Sequence, residues 1–526
     1  MPSVGGWAKH IGPVPFPCEP AATILGLYAA SRLQPEDASM TQTKLNRRLT
    51  TLDSTFLYFE KAEQPMHIGG CMLYEGRISR DELARTLLGR LHRLPRYRQK
   101  VVFPPFTLTH PTWEDDPDFD VANHIDEVTL PAPADDRVLA EVGGRVYAGM
   151  LDRAHPLWKL ILLDGRPDGS TAIVWKIHHA MIDGVSGVDL TMVLHDLTPD
   201  AEPPAPPAAP WRPQPLPDPI SLLQDAVRDR LTEAVQSLTD SAFGLLRPAE
   251  LGDRARQITG AATTALPSLL EPAPPTPFNA PLSTERRFAW QALPFAEIRA
   301  IRSALGGTVN DLVLTILSGA LGRYLRAHGH RTDGVELRAM CPVSMRRPDE
   351  RGALGNLVSV MIAPLFVGIT DPVERLAAER GAMEQLKSQD QAGGLYSLQQ
   401  LLHGIPAAWQ AFAGQLTVPQ TLFNTVSTNV PGPQIPLYLA GHRLLHWIPL
   451  GICSTNVGLF VAILSYDQRL TFGLTFDPRL VPDGWCLATC LEESFAELRG
   501  AAERLEPQAF TKAAAPASEP TAAAGR

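Results

Sequence analysis

The position of the prolines constrains this fold most. Nine of the seventeen residues from Pro203 to Pro219 are proline, and a second cluster runs from Pro267 to Pro281. Proline fixes φ and has no backbone N–H, so neither stretch suits a helix interior or a central strand. Both predict extended, polyproline-II-like linker. Between them, Ile220 to Leu246 carries Leu223, Val227, Leu231, Val235 and Leu238 at helical spacing, which predicts an amphipathic helix. The middle of the chain thus reads linker, helix, linker over 203–283, and it separates two blocks, 41–202 and 284–508.

Both blocks mix helix and strand patterns. In the first, Ser79-Arg80-Asp81-Glu82 is a capping box opening a helix with Leu83, Leu87 and Leu91 on one face. Ala134–Leu151 and Val185–Leu197 read as helices, and Lys159–Leu163 and Thr171–Ile177 as strands. In the second, Val309–Arg326 reads as a helix capped by Thr308. Leu337–Val343, Asn356–Phe366 and Val457–Ser465 read as strands, and Ser465–Phe476 continues through a hairpin at Asp467-Gln468. Two mixed blocks of similar size predict two α/β lobes.

Bulk composition removes other classes. Hydrophobic residues make up 44% of the 526, enough apolar mass for a large core. The formal charge is -9 and no long Lys/Arg run occurs, which argues against a nucleic-acid binder. Six cysteines include no CxxC, so they read as reduced thiols in a reducing compartment. No apolar run reaches the roughly 20 residues of a membrane span, and Ala21–Ser31 makes a poor signal peptide. Residues 1–40 read as an extension, with Met40 resembling a natural start, and 509–526 as a disordered Ala/Pro tail.

Chemistry concentrates at WKIHHAMIDGVSG, Trp175 to Gly187. Strand alternation puts Ile173, Trp175, Ile177 and His179 on one face and Val174, Lys176 and His178 on the other, so the adjacent histidines point apart. Three readings stand: one buried and one exposed structural histidine, a metal site, or a general base of near-neutral pKa. The metal reading lacks a completing Cys/His cluster or HExxH. A serine nucleophile at Ser186 would need GxSxG, and the sequence here is GxSG.

HHAMIDG fits the HHxxxDG motif of CoA-dependent acyltransferases and peptide-synthetase condensation domains. The remaining matches narrow this. Leu52-Asp53-Ser54 with Phe56 and Glu60, Pro65-Met66-His67-Ile68-Gly69, Phe119-Asp120 with His124, and Leu151-Asp152-Arg153 with Pro156-Leu157-Trp158 resemble segments of the bacterial wax ester synthase/diacylglycerol acyltransferase family. Thr308-Val309-Asn310-Asp311, Pro342-Val343-Ser344 with Arg346, Gly355-Asn356, Asn429 to Pro433 and Ser465-Tyr466 look like that family's later motifs.

The resemblance implies an α/β (α+β) fold of two chloramphenicol-acetyltransferase-like lobes. Mixed sheets packed with helices are joined by the helix-containing crossover, with an active-site tunnel between the lobes. It implies one-step transfer of a fatty acyl group from acyl-CoA to diacylglycerol, a long-chain alcohol, or both, with no cofactor and no metal. By resemblance His179 is the general base, His178 a structural or positioning residue, and Asp183 and Gly184 shape the loop. Asn310 is the carbonyl-contact candidate. Asp311, Pro156, Leu157, Trp158 and Ser344 are site-wall candidates, although Thr308-x-x-Asp311 is equally a helix cap. Arg96, Arg98 and Lys100 read first as a solvated face and second as a CoA-phosphate contact. Apolar substrates imply a membrane or lipid-droplet surface, so the expected location is cytoplasmic, peripheral to the inner leaflet or lipid inclusions. The 220–246 helix and Leu398–Leu416, with Trp409 and Phe412, are the interfacial candidates. The alternatives are a condensation-type acyltransferase on another acceptor and a non-catalytic droplet protein.

Overall fold

The computed structural model describes residues 47–182, 191–202, 210–229, 231–232, 271–344, 358–388, 407–415, 419–507 and 510. The described residues from Arg48 onward form one compact unit. Its first half runs α1 (Thr51–Phe59), β1 (His67–Tyr74), α2 (Arg80–Arg90), a ribbon of β2 (Gln99–Val102) and β3 (Thr112–Asp115), β4 (Ile125–Thr129), α3 (Asp136–Ala148), β5 (Trp158–Asp164) and β6 (Thr171–His178). The second half runs β7 (Arg287–Pro294), α4 (Phe295–Leu305), α5 (Val309–Ala327), β8 (Leu337–Ser344), β9 (Val358–Leu365), α6 (Pro372–Ser388) and α7 (Ala407–Gln415). It continues with β10 (Thr425–Pro431), β11 (Tyr438–Leu439), β12 (His442–Leu450), β13 (Leu459–Tyr466), β14 (Arg469–Phe476) and α8 (Gly484–Leu505).

β6, TAIVWKIH, is buried along its whole length, as a central strand must be. β1 and β5 flank it antiparallel, and β4 runs parallel to β5. The faces divide by alternation. Met72, Tyr74, Ile173, Trp175 and Ile177 pack with α2. Cys71, Leu73, Ala172 and Val174 pack with α3. The Ser79 capping box is present and Leu83, Leu87 and Leu91 are buried, so α2 uses the face its spacing indicated.

The second sheet has the order β7-β14-β13-β10-β8-β9 and is also mixed, with β10 parallel to both β13 and β8. α5 is sunk in its core: fifteen of its nineteen residues are buried. Among the described residues no single helix is long and apolar enough to cross a membrane.

One expectation is corrected. The 284–508 block is not self-contained, because β11 and β12 leave it to complete the first sheet, whose order is β11-β12-β1-β6-β5-β4. β12 lies antiparallel to β1, with Gly69 opposite Leu450 and Met72 opposite Trp447. It also leans on the second sheet, so closely that a Cβ at Gly473 of β14 would collide with the Pro449 carbonyl. The middle helix is described over 219–229 and 231–232, opened by an Asp218 cap, and its apolar residues divide between the interior and solvent. Leu222 and Ala226 are buried, whereas Val227 is 47% and Leu231 63% exposed. Leu223 is intermediate, and Val235 and Leu238 lie outside the described residues. Within the Val185–Leu197 helix, 191–194 are helical, and Asp196 then bridges to Tyr438.

Candidate active site

β6 ends at the histidine pair, and backbone bonds fix both residues. The His178 N–H donates to the Leu157 carbonyl (2.9 Å) and the His179 N–H to the Met66 carbonyl (2.8 Å). The side chains then diverge. His178 is fully buried, and its Nδ1 accepts from the Ala180 N–H at 3.1 Å. An accepting Nδ1 puts the ring proton on Nε2, which faces Glu60 Oε1 at 3.5 Å.

Glu60 stands at the C-cap of α1. Oε1 accepts the Met66 N–H (3.1 Å), and Oε2 takes Arg153 Nη2 (2.9 Å). Burial alone would push this carboxyl up, but His178, Arg153 and the Met66 N–H outweigh it and hold Glu60 at about 2. Arg153 also donates to the Leu57 carbonyl at 2.7 Å, which ties the ion pair to the helix end.

Opposite His178 in the sheet register is His67. Its Nε2–H donates to the Tyr147 carbonyl (2.6 Å), and the Tyr147 hydroxyl returns a bond to the His67 carbonyl (3.0 Å). Burial, with Lys176 nearby, pushes His67 down to about 3, so it is neutral. Lys176 is itself lowered to about 8 by burial, and it closes the end of α3 on the Val146 and Gly149 carbonyls at 3.0 and 2.5 Å. Cations are favoured at a helix C-terminus. Glu60, His67, Lys176 and His178 thus form a rigid polar layer on the α3 side of the sheet.

His179 takes the opposite side. It is half-buried, and Phe56 of α1 stacks on its ring at 4.1 Å between centroids and 14° between planes. One helix therefore sets both histidines: Phe56 holds the second ring flat, and Glu60 faces the first. Phe56 and Glu60 entered the sequence reading only as resemblance motifs. Arg153 and Lys176 also had no role there. Their partners lie far off in sequence, and no local spacing signals them.

Pro156-Leu157-Trp158 adjoins this site. Pro156, Leu157 and Trp158 are buried, and Trp158 lies opposite Ile177 in the sheet. The Trp158 indole donates to the Tyr97 carbonyl (2.9 Å) and stacks on His124 at 4.2 Å. Asp311 is absorbed in the capping box of α5, where its carboxylate accepts the Thr308 N–H at 2.8 Å. Asn310 is half-buried beside it. Among the described residues no hydrogen bond or ion pair joins Asn310 or Asp311 to the histidine pair. Ser344 ends β8. Asp183, Gly184 and Ser186 lie outside the described residues.

The basic cluster is not a solvated face. Arg96 lies over Trp113 (4.7 Å), Arg98 over Trp211 (5.0 Å), and Lys100 pairs with Asp116 (2.9 Å). Burial lowers Arg96 to about 10.

This arrangement, a locked histidine back to back with a stacked accessible one, sits on a chain that matches two known domains. Residues 49–313 match the wax ester synthase/diacylglycerol acyltransferase catalytic domain, and residues 354–499 match the WS/DGAT C-terminal domain. The chain belongs to the wax ester synthase/diacylglycerol acyltransferase family. Among relatives of this WS/DGAT protein is a putative diacylglycerol O-acyltransferase of Mycobacterium tuberculosis, 30% identical over 92% of this chain and 95% of the relative. The solved wax ester synthase/diacylglycerol acyltransferase of Marinobacter aquaeolei VT8 superposes with a TM-score of 0.60. It is 26% identical and covers 86% of this chain and 99% of its own. The starter condensation domain of rhizomide synthetase shares the fold at a TM-score of 0.53 and 15% identity, over 90% of this chain and 97% of its own. The WS/DGAT membership and these neighbours bear out the expected two-lobed acyltransferase-like architecture.

Proposed function

We propose that this WS/DGAT protein moves a long-chain acyl group from acyl-CoA to the hydroxyl of diacylglycerol, a long-chain alcohol, or both, with His179 as general base. The observation that carries the reading is the divergence of the two rings at 178–179. His178 is fully buried, with Nδ1 bonded to the Ala180 N–H and Nε2 3.5 Å from Glu60 Oε1, whereas the half-buried His179 ring stacks on Phe56.

In the proposed step, His179 takes the proton of the acceptor O–H as the oxygen attacks the thioester carbonyl. The tetrahedral adduct collapses, the C–S bond breaks, and the departing CoA thiolate takes the proton back from the imidazolium. No acyl-enzyme forms, in keeping with the absence of a GxSxG nucleophile in the sequence. A positioned base supplies roughly 10²–10⁴-fold. Asn310, in the first turn of α5, is our candidate contact for the carbonyl oxygen. Asp183 and Gly184 shape the loop after the pair.

Such substrates partition into lipid, so we place the enzyme at a membrane or droplet surface on the cytoplasmic side. Supporting this, Phe106 is 84%, Trp409 66% and Phe412 56% exposed. α7, which carries the last two, packs on α1 through Gly414, where a Cβ would come within 2.5 Å of the Tyr58 carbonyl.

The test is His179→Ala assayed with palmitoyl-CoA and a panel of acceptors, with product classes separated by chromatography. The expected result is an unchanged melting curve and transfer reduced at least about a hundredfold. Near-normal turnover would refute the base assignment.

A further inference from the structure

The proposed step leaves one buried charge unused. Lys176 lies in β6 two residues before His178, on the same face of the sheet. It is 4% exposed, and its ammonium donates to the Val146 carbonyl at 3.0 Å and the Gly149 carbonyl at 2.5 Å. Burying an ammonium is costly, and a methionine would pack there against α3 without that cost. What the charge does follows from where its two acceptors stand.

Val146 and Gly149 close α3, and between them the Tyr147 carbonyl accepts from His67 at 2.6 Å. Two neighbouring strands therefore fix this helix end. The chain then leaves the sheet and returns at Leu157, whose carbonyl accepts the His178 N–H at 2.9 Å. The 149–157 loop is thus tied to β6 at both ends, by the Lys176 side chain and the His178 backbone, about 7 Å apart along the strand. Between the ties it carries Arg153, which bonds Glu60 at 2.9 Å and the Leu57 carbonyl at 2.7 Å. Glu60 in turn faces His178.

We propose that Lys176 is a positioning residue for acyl transfer: its ammonium fastens the end of α3 to β6, and through the 149–157 loop it keeps Arg153, Glu60 and the His178–His179 strand end in place. The inference rests on the acyl-transfer reading of His179. Burial, with Lys159 opposite in the sheet, lowers Lys176 to about 8, while Asp126 and Glu60 pull it back up. Lys159 is itself on Asp126 at 2.7 Å. Of the other groups on this side, Glu60 is ionised and His67 neutral above pH 7, burial pushes the Tyr147 hydroxyl up, and His178 follows on the strand. Above about pH 8 Lys176 is an uncharged amine, and both of its bonds weaken. Global stability does not fall with them. An unfolded lysine, near 10.5, binds more protons than the folded one between pH 8 and 10.5, so this residue's contribution to stability rises over that window. Loss of position and loss of stability are therefore separable.

The test follows kcat, KM and melting temperature across neutral and alkaline pH, with palmitoyl-CoA and hexadecanol, for wild type, Lys176→Met and Lys176→Arg. Wild-type kcat is expected to fall as pH rises through about 8, with no matching change in KM or fall in melting temperature. Lys176→Met should lower kcat about ten- to a hundredfold, keep its melting temperature and lack the alkaline fall. Lys176→Arg, which stays charged, should move that fall to higher pH. Hydrogen exchange reads the same device without turnover. Amides of 145–158 should lose protection at alkaline pH in the wild type and already at neutral pH in Lys176→Met, while those of α5 keep theirs. A Lys176→Met enzyme with wild-type kcat, a change in KM alone, or unchanged protection of 145–158 overturns the proposal. The wild-type arms decide alone if Lys176→Met does not fold. Failure of the base reading shows separately, as near-normal turnover in His179→Ala, and the exchange arm still decides the role of Lys176 if acyl transfer is absent.

Discussion

At the scale of single residues, the site is a set of protonation choices, made by burial at His67 and by its cationic and hydrogen-bonding partners against burial at Glu60. Glu60 is held at about 2 and His67 at about 3. Both shifts have the same consequence in acid. A carboxyl with a depressed folded pKa contributes stability that is lost as pH falls from its unfolded value, near 4.5, toward 2. A histidine that is neutral when folded but protonated when unfolded loses stability as pH falls below its unfolded value, near 6.5, toward 3. The melting temperature should therefore drop steadily below about pH 6.5, and His67→Gln should flatten the upper part of that slope. A slope unchanged in His67→Gln would exclude His67 as its source. Glu60→Gln removes the ionised partner of Arg153 and leaves a half-buried guanidinium uncompensated, at about 1–3 kcal/mol in stability. Because Glu60 faces His178 and not His179, this variant should lower kcat more than it raises KM. A rise in KM alone would place Glu60 in substrate binding instead.

At the scale of elements, what was legible in the sequence was what neighbouring residues decide among themselves. The Thr308 cap and the buried run behind it foretold α5 to within a residue, and the alternation of β6 separated His178 from His179. The Asp467-Gln468 turn sits at φ 40° and 63°, as a two-residue hairpin with both centres left-handed requires. Gln468→Gly should therefore stabilise the hairpin by about 1 kcal/mol in urea titration. Thr308→Ala should cost about 1 kcal/mol for the lost cap. β1 and β12 were illegible for a physical reason. β1 contains Gly69 and Gly70 and β12 ends in Pro449-Leu450, so neither has a strong strand signature, and each becomes a strand by pairing with the other. The pairing of Glu60 with Arg153 was illegible likewise, because the bond spans 93 residues.

At the scale of the molecule, the linkers predicted by proline join two sheets that β12 already ties together. The close contact at Gly473 makes the junction between β12 and β14 a point where a single methyl group is felt in both halves. Gly473→Ala should destabilise by about 1–3 kcal/mol, and tryptophans on either side of the junction should report one shared transition. Separate transitions would show that the halves unfold independently. The exposed aromatics of α7 belong to this scale too: Trp409→Ser with Phe412→Ser should reduce co-sedimentation with anionic vesicles, and unchanged binding would send the search to the 219–229 helix.

The strand exchange has a further consequence for anyone who would divide this protein. A polypeptide stopped in the proline-rich crossover would lack the strand that covers β1, leaving the ladder from Gly69 to Tyr74 as an open template for foreign chains. Its complement would carry β11 and β12 with nothing to join. Neither half is an interchangeable cassette, so recombining relatives of this chain calls for breakpoints that move 438–450 together with the first lobe.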